Sequence, residues 1–178
     1  RTAGASIESF VYTSMDSFHQ ATVTAVGQNY GGKHEKRIYK SIKTGIMCAV
    51  VAGGILGLLV FLLGRQLLGI YIIDNPEAIE QGMVYITVCG LPYFICGIMN
   101  VLSGALRGLG HSKVSALISV VCTCGFRIFW IFTVVPLMRA TWVLYMCWPL
   151  SWMLVSIFLL INFFAVRKKT MWKMYARQ

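Results

Sequence analysis

Glu8, Tyr12, Met15, Asp16 and His19 stand close together near the start of the chain, two acids and a histidine among weakly polar and apolar neighbours. Wound as a helix at about 100° per residue, these five fall within an arc of about 100°. A carboxyl group in such a stripe can bind and release a proton or attract a cation, because withdrawal from water favours its neutral form. Histidine adds a group that titrates near neutrality. The same residues can also serve only as hydrogen-bonding partners of neighbouring helices, and Glu8, nearer the outer surface, can simply be hydrated. Asp16 is the leading candidate for ion or substrate binding, with Glu8, Tyr12 and His19 beside it. A charge of opposite sign, Arg127, interrupts an apolar run at 114–137. Arginine at the centre of a membrane helix costs on the order of 3 kcal/mol. Arg127 is therefore expected to turn inward and approach Asp16, Glu8 or backbone carbonyls, as a structural ion pair or as a gate.

The elements that must hold these residues follow from composition. The chain has 178 residues, 57% hydrophobic and only 12% charged, whereas a soluble domain is about 45–50% apolar and about 25% charged. An all-α polytopic membrane protein is expected, since only helices and closed barrels satisfy every backbone group in lipid. Five segments emerge, at 3–29, 44–64 with a possible extension to 73, 82–106, 114–137 and 141–166. The net charge of +10 comes mostly from Lys and Arg in the connections and the tail 167–178, with no basic helix or aromatic motif of a nucleic-acid binder. Lys33, Lys36, Arg37, Lys40 and Lys43 follow the first segment, while Asp74, Glu77 and Glu80 follow the second. The positive-inside rule then puts the 33–43 loop and the C-terminus in the cytoplasm.

Gly27, Gln28, Asn29 and Gly31 are expected to end the first helix and act as its hinge, glycine supplying a left-handed conformation and the amides capping freed carbonyls. Gly53 and Gly57, and Gly104 and Gly108, have the small-xxx-small spacing of close helix contacts. Pro92 and Pro149 should kink their helices. The six cysteines all lie in apolar runs, and Cys122-Thr123-Cys124 lacks zinc-ligand spacing, so no metal or other cofactor is expected. Motifs of hydrolases and metalloproteases are absent, and no enzyme activity is expected.

Three blocks together resemble one family. Gly27-Gln28-Asn29-Tyr30-Gly31-Gly32-Lys33 with Arg37, Ser103 to Gly110, and Gly125-Phe126-Arg127-Ile128-Phe129-Trp130-Ile131 through Pro136 are similar, in order and spacing, to segments of multidrug and toxic compound extrusion (MATE) transporters. The resemblance implies helices eight to twelve of a C-terminal lobe, five of its six helices. The first lobe of the same polypeptide would lie outside this chain, which begins at Arg1 without an initiator Met. It further implies a multi-pass cell-membrane antiporter that exports organic cations or other drugs, driven by H⁺ or Na⁺. Several family members carry an acid in the third segment where this chain has Cys96, with Asn100 nearby as the remaining polar candidate. A flippase for lipid-linked precursors, or a membrane scaffold without transport activity, are the alternatives.

Overall fold

The first helix is the least apolar of the long helices, and its polar stripe turns toward a cavity because lipid does not supply the partners it needs. The structure, a computed structural model, describes residues 2–71, 76–138 and 141–175, with side chains at 9, 11–69, 79–137 and 142–166. All regular structure among these is helical: α1 Thr2–Gly31, α2 Glu35–Tyr71, α3 Pro76–Tyr85, α4 Tyr93–Gly108, α5 Ser112–Val120, α6 Phe126–Thr133, α7 Val135–Met138 and α8 Thr141–Tyr175. π-helical turns at Ile86–Gly90 and Val121–Gly125 continue α3 and join α5 to α6. Asp74 and Arg139, which bear on the orientation, lie outside the described residues, as do the side chains of Glu8, Glu77 and the tail.

Several helix limits differ from the sequence expectation. α2 starts at Glu35, so Lys36, Arg37, Lys40 and Lys43 ride on its first turns rather than on a loop. Glu35 suits the positive end of the helix dipole, and Lys and Arg are good helix formers. The third segment is divided at Leu91–Pro92, where the two parts meet at 45°; proline has no N–H for the carbonyl one turn back. Pro149, by contrast, lies within an unbroken α8. The carbonyl that Pro149 leaves without an N–H belongs to Tyr145, and it accepts a contact from the Cys89 thiol at 3.8 Å.

α1 ends at Gly31, without a break at Gly27. The Lys33 N–H donates to the Tyr30 carbonyl at 3.2 Å and the His34 N–H to the Asn29 carbonyl at 2.9 Å. This is a Schellman cap, and its left-handed residue is Lys33, at φ 58°, not a glycine. α4 ends in the same way, with Gly110 at φ 84° in the equivalent place.

α4 lies against α1, α2 and α8. Val26, Ile38, Ala49, Val101, Ala105, Leu106, Val155 and Leu159 form the main core, each fully buried. A Cβ on Gly104 would meet the His19 carbonyl oxygen at 2.7 Å, and one on Gly108 the Val23 carbonyl oxygen at 2.9 Å. Gly57 likewise faces the Gly90 carbonyl across the contact of α2 with the first π-turn. The outward faces carry Leu62, Leu117, Phe129, Phe132 and Leu137, all well over half exposed, as lipid contact requires. Among the described residues, Glu35–Gly69, Ser112–Leu137 and Trp142–Val166 are long and apolar enough to cross a membrane, and the bent pair Ile79–Gly90 and Tyr93–Gly108 is so too when its two parts are taken together.

Candidate functional site

A cavity of about 410 Å³ opens between α1, α4, α5, α6 and α8. Helical repeat decides which residues reach it. α1 contributes Tyr12, Asp16, His19 and Gln20, and α4 contributes Met99, Asn100, Ser103 and Arg107, both at spacings of three and four. Ser119, Thr123 and Arg127 enter from the opposite side, each four residues from the last. A π-turn occupies 121–125, and its wider coil keeps positions about four apart on one line. Trp148 and Trp152 of α8 close the end.

His19 is only 5% exposed. Its Nδ1 lies 3.0 Å from the Asn100 carbonyl oxygen. A carbonyl only accepts, so Nδ1 carries the proton and donates, and Nε2 is left to meet a ligand. Asn100 is also buried, and its amide Nδ2 donates to the Cys96 sulfur at 3.5 Å. Ser103 and Ser115 hydroxyls, 2.9 Å apart, tie α4 to α5 beside the cavity.

Arg127 and Asp16 line the same cavity, but the contact that holds Arg127 is aromatic. Its guanidinium carbon stands 3.7 Å from the centre of the Trp148 ring, a cation–π arrangement. Among the described residues it forms no ion pair with Asp16. Its Nε is buried without a hydrogen-bond partner.

The structure thus brings together Tyr12, Asp16, His19, Asn100 and Arg127 around one space. Met15 departs from the expected stripe. It is fully buried and packs with Val11, Tyr93, Cys96 and Trp152, because an arc of 100° spans both the cavity and the core. Gly27, Gln28, Asn29 and Gly31 are away from this cavity. Asn29 turns back on its own helix rather than onto a carbonyl freed at its end: its Nδ2 donates to the Ala25 carbonyl at 2.7 Å and approaches the Ser41 hydroxyl of α2 at 3.4 Å. Sequence reasoning missed Gln20, Ser103, Ser119 and Thr123. The signal was there in polar residues repeating every three or four positions through apolar helices, from Asn100 to Arg107 and from Ser115 to Arg127. A second space of about 490 Å³ lies between α1 and α2, where Arg37 and Lys40 meet Asn29, Ser41 and Thr44. Among the described residues, no three His, Cys, Asp or Glu side chains converge as a metal site would need.

Residues 2–133 match the MatE family model. The chain is 25% identical over 118 residues to the "Probable multidrug resistance protein NorM" of Thermotoga maritima, covering 66% of this chain and 25% of that protein. It therefore spans about a quarter of the length of that relative. Its fold is similar to the eukaryotic MATE transporter AtDTX14, with a TM-score of 0.82 at 20% identity over 99% of this chain and 40% of that one. It is also similar to a multidrug resistance MATE family transporter of the MOP superfamily in an inward-facing conformation, with a TM-score of 0.77 at 18% identity over 85% of this chain and 34% of that one.

Proposed function

The chain belongs to the MatE family, and from that premise we propose that it forms the C-terminal half of a membrane antiporter that exports organic cations or other amphipathic drugs. The observation that carries this reading is the cavity itself. A carboxylate, a buried histidine, two arginines and two tryptophans converge between apolar helices, in a volume that suits a small organic molecule. An inward gradient of H⁺ or Na⁺ would supply the energy. Asp16 is the proposed ion-coupling or cation-binding group, and His19, with Nε2 turned from its fixed hydrogen bond, the second proton carrier. Alternating access would open this cavity to each side in turn by rocking against a partner lobe of the same polypeptide. The basic start of α2 and the C-terminus would face the cytoplasm, in keeping with the positive-inside rule.

The test is ethidium efflux from cells carrying the whole polypeptide, wild type against Asp16→Asn, with proton and sodium gradients collapsed separately. Gradient-driven efflux should fall more than about tenfold in the variant, the effect of removing a charge made to work inside the membrane. Efflux unaffected by Asp16→Asn would remove the coupling role from this half.

A further inference from the structure

Selectivity for organic cations would suit a cavity whose charge is Asp16 alone, but Arg107 and Arg127 line it as well. Two permanent positive charges face one carboxylate, and His19 can only add to the positive side. Resting on the exporter reading above, we propose that this half of the cavity binds an anionic group, a carboxylate or sulfonate on a small aromatic molecule, with Arg127 as the anchoring residue.

Four observations support the assignment. Among the described residues neither guanidinium is tied up in an ion pair, so their charge is not spent within the protein. Arg127 is held instead over the face of the Trp148 ring, its guanidinium carbon 3.7 Å from the ring centre, a contact that uses none of its N–H donors and leaves them for a partner. Its Nε is buried with no acceptor. A charged donor without an acceptor is costly, and an oxygen entering beside Trp148 would relieve that cost through a small rotation of the side chain. Finally, Ser119 and Thr123 lie on the same side of the cavity as Arg127, hydroxyls able to donate to further oxygens of the anion. Trp148, Trp152 and Tyr12 supply the walls for an aromatic body. Arg127 is only partly exposed, between apolar helices, so its attraction for an anion is screened less than that of the exposed Arg107.

The experiment compares two dyes in everted vesicles containing the whole polypeptide, carboxyfluorescein as the anion and ethidium as the cation, for wild type and Arg127→Gln. The expected result is gradient-dependent transport of carboxyfluorescein that Arg127→Gln lowers about tenfold more than it lowers ethidium, the loss of one charge-assisted contact. Because the readout is a ratio, a variant that merely folds less well moves both dyes together. Transport of ethidium without carboxyfluorescein would overturn the anion assignment and leave the exporter reading standing. Equal loss of both dyes would also overturn it, making Arg127 a structural residue. Transport of neither dye by the wild type would overturn the exporter reading and this inference with it.

Discussion

Where α4 meets α1, backbone meets backbone; where α5 and α6 close the other side of the cavity, the helix is held by a few side chains. On the first wall Gly104 and Gly108 let α4 approach the carbonyls of His19 and Val23, and every residue from Asn100 to Leu106 is buried. On the second wall Ser115 is the one buried residue of α5, and α6 has none. Beyond the partly buried Ile118 and Cys122 that pack on the core, this wall is tied by the Ser103–Ser115 contact, Arg127 on Trp148, and the Trp130 Nε1–H donating to the Val143 carbonyl at 2.9 Å. A π-turn runs through its middle, a feature often found at functional sites. Dense packing resists displacement while sparse contacts permit it. The first wall therefore acts as a fixed frame for Asp16 and His19, and the second can adjust around what the cavity holds.

Paired glycine substitutions probe the contrast most strongly. Gly104→Ala should destabilise by about 2–3 kcal/mol, since its Cβ would press on backbone atoms that cannot turn aside. Gly125→Ala, with nothing within 4 Å of the added carbon, should be neutral or stabilise by up to about 1 kcal/mol. Thermal melting in detergent reads both, and a similar cost at the two positions would remove the distinction between the walls. Next in size, His19→Ala removes a buried hydrogen bond to the Asn100 carbonyl and the packing of the imidazole beside Gly104 and should cost about 1–3 kcal/mol. Trp130→Phe removes one hydrogen bond from the adjustable wall and should cost about 1 kcal/mol; a larger cost than that of His19→Ala would reverse the comparison. The smallest change expected is at the end of α1. Lys33→Gly should stabilise by about 0.5–1 kcal/mol, glycine being free of the Cβ penalty at φ 58°; an unchanged melting temperature would contradict that.

Residue types and spacings made one wall of the site readable before any coordinates. Tyr12, Asp16 and His19 are polar residues at helical spacing in a membrane segment, and such groups point inward because lipid cannot satisfy them. Gly104 and Gly108 were readable for a related reason, since only small residues let helices come that close. The other wall was harder to see. Ser119 and Thr123 are small enough to satisfy themselves on their own helix, so their presence does not demand a cavity. The partner of Arg127 was sought among acids, where Coulomb attraction is obvious, and the structure supplies the face of Trp148. Lys33 in a left-handed cap was hidden by two adjacent glycines that fit that conformation more readily.

The basic start of α2 has a counterpart thirty ångströms away. Lys43 and Arg65 bracket an uncharged stretch of 21 residues, which as a helix measures about 32 Å, close to the roughly 30 Å hydrocarbon thickness of a bilayer. α2 thus works as a ruler, its two cations resting at opposite headgroup layers. Gly45 on that ruler faces Thr22 of α1, and Asp16 lies six residues farther along α1, roughly 9 Å at helical rise. The carboxylate therefore lies about 12 Å beneath the nearer surface, well inside the oil. A thicker membrane would draw Lys43 and Arg65 inward or force α2 upright, and α1 and its acid would have to follow.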